Sequence, residues 1–494
     1  MKWIRSLVAL AIAGTCAVAA SRLADTAISQ GPTRRLLIAA DEIDPERVNR
    51  IELARDGKRF VFERVSADPS EDSAAETSSS QATSSQATSS QVTSSQVTWR
   101  QIEPVTHAAD AWSVRQFISR VLKAESVRHV DVASGEASTG VGTMHATLEA
   151  AGLAPAVATV TLREAPNSDG TQREVVVELG RRSLAGRAFA RRSGDPGYDV
   201  VESALHELAL ERDVRDFRRR ELFPDLGDVQ RVVFESGSNR TEIVREKNGY
   251  RIVAPIQTRA DRQQVEELLD ALRRARSAGF IVDDPREPSV YGIDPPAARI
   301  EVETSAGKQA LRIGDAVSIG AQDRFGLLEG TVSVVRLPAA EIAGIVPRAD
   351  RLIDAIATSV RPRDVASMEI LLGDAMRGER LTLTRELNGW SAMRTPVGDA
   401  EGLAGSVATE AVDRLLTALC ETRAGAVEIA PFPEETRVGQ VVLKGFANEP
   451  LDTVRIAQRT DGKTILENGD GVLRVFGAID LPITPAELEF KKSV

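Results

Sequence analysis

The clearest hydrophobic pattern along this chain is a helical stripe that occurs three times. Apolar residues recur at positions i, i+3, i+4 and i+7, which is the spacing of one buried face of an α-helix. The stripes comprise Val114, Phe117, Ile118 and Val121, then Val265, Leu268, Leu269 and Leu272, and finally Val412, Leu415, Leu416 and Leu419. Asp110 and Asp261 stand ahead of the first two stripes as predicted N-caps, and Gln264 is predicted to complete a capping box with Asp261. Each stripe therefore predicts an amphipathic helix.

A group of strand patterns precedes each predicted helix. Alternating apolar and polar residues, many of them β-branched, indicate half-buried strands. The first two strands of each group cover 48–53 and 59–64, 229–234 and 241–245, and 365–370 and 381–385. Asn248-Gly249 and Asn388-Gly389 predict tight hairpins, because these residue types tolerate the positive φ that such turns require. A third strand is predicted in each of the three groups and ends at a proline, at Pro104, Pro255 and Pro396. In the first group the tip ahead of this strand is not Asn-Gly.

Strand patterns also follow the helices. A Gly-x-x-Pro turn at Gly152 and again at Gly292 precedes strands at 159–162 and 299–302, and each of these is followed by a strand that ends in Leu179-Gly180 or Ile313-Gly314. After the third helix the strands at 441–443 and 472–475 recur without that turn. The second half of each group is therefore predicted to be a β-meander with a short closing helix.

Together these patterns predict an α+β protein of three tandem repeats. Each repeat is a mainly antiparallel sheet in β-β-β-α order, followed by the β-meander, with the amphipathic helix packed on one face. The predicted repeats span 34–212, 218–347 and 350–491. A length of 494 residues agrees with this count, since domains usually contain roughly 100–200 residues.

The first repeat is interrupted by a low-complexity segment at about 70–97, which runs through repeated Thr, Ser and Gln pentapeptides. It holds too few apolar groups to order itself, so it is predicted to be a disordered insertion at a hairpin tip. Such a tip is a tolerant place for extra length, because loop entropy rises slowly with loop length. A tolerated expansion without function and an O-glycosylated or surface-exposed spacer both remain open.

Composition and charge narrow the function classes. Hydrophobic residues make up 42% of the chain but aromatic residues only 4%, so the cores are expected to consist mostly of Val, Leu, Ile and Ala. The net charge is -10, and the Lys and Arg residues are scattered among acids without a basic block. Nothing in this pattern would neutralise a phosphate backbone, so no nucleic-acid partner is predicted.

The N-terminal segment predicts export. Residues 1–19 have the order of a secretory signal, with Lys2 and Arg5 ahead of an apolar run and Ala17-Val18-Ala19 at its end. Cleavage after Ala19 and retention as a membrane anchor through residues 7–20 are both open, and a lipoprotein-like context at Cys16 is a third reading. Membrane association is predicted only through this segment.

Candidate chemistry is sparse in the sequence. The four histidines, His107, His129, His145 and His206, all lie in the first repeat without metal-ligand spacing. Cys420 is read as a small residue at the end of a helix, and Arg218-Arg219-Arg220 as part of a solvated connector. No nucleophile elbow or phosphate loop is present. The sequence therefore predicts no catalytic, cofactor-binding or metal site, and no cofactor.

Several stretches resemble one bacterial family. They are Arg35-Leu36-Leu37 with the run from Ile43 to Leu53, the strand from Tyr250 to Pro255, Ala260-Asp261, and the run from Tyr291 to Pro296. They are similar to the family called domain of unknown function 4340. The resemblance implies a protein exported or anchored by one N-terminal helix, in some members encoded beside ABC-type transporter components. The family has no established catalytic residues to carry over, and the third repeat departs from its pattern by lacking Gly-x-x-Pro.

These observations lead to a functional expectation. The protein is expected to be a non-enzymatic, exported cell-envelope protein, in the periplasm or on the outer face of the inner membrane, which acts through contacts with envelope or membrane proteins. Subunits of an ABC-type transport assembly are among the candidate partners. The alternative is an envelope hydrolase with a site in the first repeat. Such a site would require polar groups that occur in one repeat and that the repeated fold does not explain.

Overall fold

The computed structural model describes residues 35–65, 98–131, 148–183, 186–373, 378–395 and 401–493. The chain divides into two compact units, residues 1–220 and 221–494. The first unit contains one large antiparallel sheet and the second contains two. This is an α+β fold dominated by antiparallel sheet, as the sequence predicts.

The first sheet has ten strands in the order β5-β4-β3-β2-β7-β8-β9-β10-β6-β1. The strands are β1 (Arg35–Leu36), β2 (Val48–Arg55), β3 (Lys58–Val65), β4 (Thr98–Glu103), β5 (His107–Ala109), β6 (Glu125–Val130), β7 (Ala158–Glu164), β8 (Glu174–Arg182), β9 (Arg187–Arg192) and β10 (Tyr198–Glu202). Helix α1 (Ala111–Leu122) lies between β5 and β6 in the chain. A short helix, α2 (Ala204–His206), continues into a π-helical turn at Glu207–Glu211 and a 3-10 turn at Val214–Phe217.

The second unit begins with a nine-stranded sheet in the order β14-β13-β12-β11-β16-β17-β18-β19-β15. Its strands are β11 (Val229–Ser236), β12 (Asn239–Glu246), β13 (Gly249–Ala254), β14 (Thr258–Arg259), β15 (Gly279–Asp283), β16 (Ala298–Thr304), β17 (Gly307–Ala316), β18 (Arg324–Leu328) and β19 (Ser333–Leu337). Helix α3 (Arg262–Arg274) separates β14 from β15, and the short helices α4 (Ala339–Ile345) and α5 (Ala349–Leu352) follow β19.

The third sheet has ten strands in the order β29-β23-β22-β21-β20-β25-β26-β27-β28-β24. Its strands are β20 (Ser367–Leu372), β21 (Glu379–Glu386), β22 (Gly389–Thr395), β23 (Leu403–Val407), β24 (Ala426–Ile429), β25 (Arg437–Lys444), β26 (Pro450–Gln458), β27 (Thr464–Glu467), β28 (Val472–Phe476) and β29 (Lys491–Lys492). Helix α6 (Thr409–Cys420) separates β23 from β24.

Apart from the two-residue edge strands β1 and β29, the strand order around each long helix is the same in all three sheets. Four strands precede the helix, the strand after the helix crosses to the far side of the sheet, and four further strands fill the space between. The predicted β-β-β-α order therefore misses the fourth strand, at β5, β14 and β23, and does not foresee the crossing strand. Because β5 and β14 contain only three and two residues, they carry too little alternation to be recognised in a sequence.

The three helical stripes form the buried faces of α1, α3 and α6, as predicted, and all twelve stripe residues are buried. Asp110 and Asp261 are N-caps, whose side chains accept backbone N–H bonds from Ser113 and from Gln264 respectively. The predicted capping box is only half formed, because the Gln264 side chain donates to Glu267 at 3.1 Å. Burying each of these apolar side chains stabilises the fold by about 1.5–3 kcal/mol before entropy is subtracted. Because the fold depends on this burial, the apolar residues recur at regular helical spacing in the sequence.

The two Asn-Gly hairpins differ from the prediction by one residue. Glu246 pairs with Gly249 and Glu386 with Gly389, so each glycine is the first residue of the returning strand and not the centre of the turn. The positive φ values lie at these glycines, +152° and +143°. The signal placed the hairpins correctly, but it does not distinguish a turn centre from the residue that follows it.

Two pairs of glycines explain the Gly-x-x-Pro motif and the Leu-Gly or Ile-Gly strand ends. Gly152 and Gly292 have left-handed φ values of +69° and +63°. A Cβ on Gly180 would lie 2.3 Å from the carbonyl oxygen of Ala151, and one on Gly314 would lie 2.1 Å from that of Tyr291. The turn and the strand end therefore pack against each other backbone to backbone, which only glycine permits.

The segment that follows each sheet docks beside the start of its helix. Three backbone hydrogen bonds join these segments to the helix starts. The N–H of Asp110 donates to the carbonyl oxygen of Phe217 at 2.7 Å, that of Asp261 to the carbonyl oxygen of Leu352 at 2.7 Å, and that of Ala408 to the carbonyl oxygen of Leu488 at 3.1 Å. The side chains of these three acceptor residues, Phe217, Leu352 and Leu488, are buried in the cores. Each core is thus completed by residues that come after the sheet, and the first two of these lie beyond the predicted ends at 212 and 347.

A buried polar network joins the second and third sheets within the second unit. Arg474 is fully buried, and its guanidinium donates to the Asp354 carbonyl oxygen at 3.0 Å and to the Asp470 carboxylate at 2.7 Å. The same carboxylate accepts a bond of 2.6 Å from the Thr258 hydroxyl. Burial alone would raise the pKa of Asp470, but the bonds and charge of Arg474 outweigh it and the pKa is lowered. Such a network fixes the two sheets through groups that all have partners.

The faces of the sheets turned away from the helices carry cross-strand ion pairs. Arg231 donates to Glu242 at 2.7 Å, and Arg299 donates to Glu329 at 3.0 Å. Alternating Arg and Glu of this kind cover a solvated sheet face, whereas each exposed pair adds little stability.

Some predictions fall outside the described residues: the signal or anchor in residues 1–19, the insertion from about 70 to 97, His145, and the strand end at Pro396. A search of the described part of the chain found no helix with the length and apolar character needed to cross a membrane.

Candidate functional site

A cleft of about 340 Å³ opens in the first unit, between helix α1 and the strands beside it. Val48, Trp99 and Ile118 form an apolar floor in which all three side chains are buried. The remaining lining residues are Pro45, Glu46, Arg64, Arg115, Ser119, Leu122 and Lys123. The cleft therefore combines an apolar floor with a rim that carries three cations and one carboxylate.

Two regular elements position the cations of the rim. Arg64 on β3 is the cross-strand partner of Trp99 on β4, and its guanidinium donates to the carbonyl oxygen of Glu46. Arg115 lies on α1 and Lys123 is the C-cap residue that directly follows its last turn, and both are exposed. Neither residue makes an ion pair within the residues that the structure describes. Within the described part of the chain, their charges therefore face solvent.

The equivalent place in the second sheet is closed by the protein's own side chains. Arg245 is the cross-strand partner of Tyr250, as Arg64 is of Trp99, and donates to the Asp228 carboxylate at 2.7 Å. The Tyr250 hydroxyl donates to the Glu266 carboxylate at 2.8 Å, and burial and this bond raise the pKa of Tyr250. Glu266 follows Val265 in the helical stripe as Arg115 follows Val114. A carboxylate thus stands where the first sheet has an arginine.

In the third sheet, the arginine at the position of Arg64 is held by contacts within the protein. The Arg385 guanidinium lies 4.9 Å from the centre of the Trp390 ring and donates to the Pro362 carbonyl oxygen at 2.8 Å. Acidic residues, Asp413 and Glu421, occupy the helix positions of Arg115 and Lys123. Cations at both helix positions are therefore peculiar to the first sheet.

An exposed tryptophan extends the rim of the cleft. Trp112 in the first turn of α1 has 62% of its surface exposed. It precedes Arg115 by three residues and Ser119 by seven, so all three lie on one face of the helix. The equivalent residues are polar, Gln263 on α3 and Glu410 on α6. We call Trp112, Arg115, Ser119, Leu122, Lys123 and Arg64 the first-helix surface.

The three histidines that the structure describes in the first unit, His107, His129 and His206, do not converge on this cleft. His129 lies on β6, where its Nδ1 is 3.1 Å from the Asp199 carboxylate and its Nε2 is 3.2 Å from that of Asp131. The Ser126 hydroxyl donates to the same Asp199 oxygen at 2.6 Å. Serine and histidine therefore both bind the acid, whereas a nucleophilic triad needs the histidine between the serine and the acid.

The other described histidines have separate positions. His206 is fully buried and its Nε2 contacts the Phe189 carbonyl oxygen at 3.0 Å. Burial lowers the pKa of His206, so the ring is neutral at pH 7. His107 lies on β5 and contacts the Ala108 carbonyl oxygen.

Two other predictions have clear outcomes. Cys420 is the last residue of α6 and is buried, and burial raises the pKa of its thiol to about 12, so it is not a thiolate at neutral pH. The reading of Arg218 as part of a solvated connector is wrong. Arg218 is 2% exposed and donates to the buried Gln101 side chain at 2.8 Å, because the connector backbone pairs with the end of β5.

Among the described residues, no three His, Cys, Asp or Glu side chains are arranged to hold a metal ion.

The sequence analysis did not predict the cleft. Its signal was available, since aligning the three helical stripes sets Arg115 against Glu266 and Asp413.

Comparison with protein families gives two matches to one model, described as Domain of unknown function (DUF4340), at residues 99–281 and 250–438. Comparisons with curated proteins and with solved structures gave no match. The two matches begin at Trp99 and Tyr250, which are equivalent residues on β4 and β13. Since the matches together cover more than half of the chain, the protein belongs to the DUF4340 family.

Proposed function

From membership of a family without an assigned function, and from the cleft, we propose that this protein is a non-enzymatic binding protein of the cell envelope that acts through protein contacts. The observation that carries the proposal is the first-helix surface, where two cations without ion-pair partners among the described residues border an apolar floor and an exposed tryptophan lies on the same face of the helix. Tryptophan and arginine are the residues most enriched at interface hot spots. The second and third sheets then act as a scaffold.

The proposal includes an evolutionary statement about the fold: the three sheets are tandem copies of one unit, each with its own long helix. The shared strand order supports it, as do the equivalent glycine contacts at Gly180 and Gly314. The start of the two family matches at Trp99 and Tyr250 gives independent support. Differences between copies at equivalent exposed positions are then informative, because the fold does not require them.

The exported location rests on the N-terminal sequence. A basic start, an apolar run and Ala17-Val18-Ala19 have the order of a secretory signal, and the family resemblance implies an envelope protein. The same resemblance makes components of an ABC-type transporter the first partners to test. N-terminal sequencing of envelope-derived protein should begin at Ala20 if the segment is cleaved, and recovery in the cytosol with Met1 intact would contradict export.

Site-specific cross-linking in cells tests the contact function. A photo-crosslinkable amino acid is placed at Ser119 on the first-helix surface and, as the matched control, at Asp270, which occupies the equivalent position on α3. We expect discrete adducts with envelope or membrane proteins at Ser119 and few at Asp270. Equal labelling at both sites, or adducts at neither, would contradict a contact site on the first copy.

The hydrolase alternative is tested at the Ser126–Asp199–His129 cluster, a set of polar groups that the structure brings together in the first unit. Ser126→Ala and His129→Gln should each restore the phenotype of a deletion strain, since these groups serve the sheet in our proposal. Loss of function in both variants at normal protein levels would favour the hydrolase.

A further inference from the structure

We propose that the cleft of the first copy binds an acidic and aliphatic segment of another protein, with a carboxylate of that segment seated between Arg115 and Arg64. The inference rests on the proposed contact function, because it names the chemistry of that contact. Three observations carry it: the charge of the rim, the apolar floor, and the way in which the second copy fills the same place.

The rim has an excess of positive charge. Arg64, Arg115 and Lys123 face the opening together with a single acid, Glu46. The chain as a whole carries a net charge of -10, so this cationic opening stands out against an acidic protein. Clefts with low-dielectric walls concentrate such a potential and select partners of opposite charge. An anionic partner is therefore favoured.

The floor restricts which anion fits. Trp99 and Ile118 are buried beneath the rim, and Leu122 lines the wall. Because Trp99 and Ile118 are themselves almost fully buried, the accessible apolar surface of the cleft belongs mainly to Pro45 and Leu122. A bare inorganic anion would leave that surface in contact with water, whereas an aliphatic side chain would cover it. A volume of about 340 Å³ accepts a side chain or two of an extended segment, and Trp112 offers a further contact outside the cleft.

The second copy shows how a carboxylate occupies this place. Glu266 there lies over the aromatic residue of the third strand and accepts the Tyr250 hydroxyl bond at 2.8 Å. In the first copy the residue equivalent to Glu266 is Arg115, and the aromatic residue is Trp99. The cation thus replaces the internal carboxylate, and a carboxylate supplied from outside would again place an acid over the aromatic residue, now paired with Arg115.

A membrane surface fits these observations less well. Recognition of anionic lipid typically uses clusters of about 4–8 Lys and Arg residues. The cleft presents three cations around a concave floor, with Glu46 beside them. A concave site with a few placed charges is typical of binding to a single chain segment or a small ligand.

Fluorescence anisotropy with the full-length protein tests the inference. The probe is a labelled synthetic peptide that alternates leucine and glutamate, and the comparison probe replaces every glutamate with glutamine. We expect the glutamate peptide to bind and the glutamine peptide to bind at least about 10-fold more weakly, since charge-assisted bonds are worth that much. Binding should weaken as salt is raised.

Variants locate the binding. Arg115→Glu, which writes the residue of the second copy into the first, should weaken the glutamate peptide about 10-fold or more. Lys123→Glu should act in the same direction. The matched control is Arg274→Glu, which makes the same change of charge at the position equivalent to Lys123 on α3, and should leave binding unchanged. Circular dichroism verifies that the variants are folded.

Several outcomes would overturn the inference. Equal binding of the two peptides would show that the groove binds apolar side chains without selecting for charge. If neither peptide binds, an acidic and aliphatic segment is not the ligand. Competition for the cleft by inorganic phosphate or phosphatidylglycerol vesicles that is as strong as competition by unlabelled peptide is a further outcome. That result would show that the cleft binds anions in general or a membrane surface, and not a peptide segment. If Ser119 cross-links to envelope proteins but the peptide fails, only this inference falls. If the peptide binds but no cellular adduct forms, only the proposed function falls.

Discussion

Arg474 in the second unit and Arg115 in the first lie on regular secondary structure, but their surroundings are opposite. Arg474 has no exposed surface, and its donors are directed at Asp470 and at the carbonyl oxygen of Asp354. Arg115 is exposed on the rim of an apolar cleft and makes no ion pair within the described residues. A buried cation with saturated bonds contributes to a specific structure, whereas a cation left in water beside an apolar floor is available for recognition.

The same contrast applies between copies at one helix position. Glu266 in the second copy accepts a hydrogen bond from Tyr250, whereas Arg115 in the first copy makes no such side-chain bond within the described residues. Since the fold is the same around both, it cannot account for the change of charge. Comparison of copies within one chain therefore separates positions that the fold needs from positions that are free for function.

The largest expected effect breaks the buried side of this comparison. Asp470→Asn leaves the fully buried Arg474 without its carboxylate, which should cost about 3–5 kcal/mol in the free energy of unfolding of the second unit. Because the folded-state pKa of Asp470 is lowered, its contribution is present above the unfolded pKa and is lost as pH falls through the folded value. Chemical denaturation at several pH values should show the difference from the native protein shrinking below about pH 4. A small, pH-independent difference would contradict this role.

An effect of similar or smaller size is expected in the apolar core. Leu269 is 2% exposed on the buried face of α3, and Leu269→Ala should cost about 2–5 kcal/mol through lost burial and a cavity. Because the second and third sheets form one unit, hydrogen exchange should accelerate in residues 221–494 and not in residues 35–220. Acceleration confined to the second sheet would instead show that the two sheets unfold separately.

A smaller effect is expected where the second copy closes its own cleft. Tyr250→Phe removes the hydroxyl group that donates a hydrogen bond to Glu266, and should lower the free energy of unfolding by about 0.5–1.5 kcal/mol. Trp99 and Trp390 lie outside this contact, so the tryptophan emission should not change. A loss well above this range would mean that Tyr250 has a larger packing role than its hydrogen bond.

The smallest effect is expected on the open side of the comparison. Arg115→Glu should change the free energy of unfolding by less than about 0.5 kcal/mol, because the side chain is exposed. A thermal melt of this variant beside Tyr250→Phe gives the direct contrast. A larger destabilisation would show that Arg115 supports the fold and would weaken the case for a binding role.

The sequence predicts the parts of this fold that depend on repeated burial. The stripe around Leu269 and the caps at Asp110 and Asp261 are where periodicity and capping signals place them, since each reflects local geometry. The strand after each helix could not be placed, because pairing across the width of a sheet leaves no local signal. Arg218 was misread for the same reason, as its buried partner Gln101 is distant in the chain.

Hydrophobic periodicity could not predict the cleft, for a different reason. Binding positions such as Arg115 and Trp112 are exposed, so neither burial nor backbone conformation constrains them, and a single sequence read position by position gives them no weight. Alignment of the copies supplies the missing reference. The difference in charge between Arg115 and Glu266 then becomes visible without any structure.

The docking of Phe217, Leu352 and Leu488 beside the helix starts has a consequence for the order of synthesis. A ribosome makes nearly all of each sheet before the segment that completes its core, so every copy waits for residues that emerge later. The first helix start in particular lacks its partner until Phe217 has been made, and Phe217 also packs on Phe62 and Phe117 with ring centres 5.6 Å apart. A fragment that stops at residue 212 would therefore be released with an open core, whereas one that runs to residue 220 would carry its own closure.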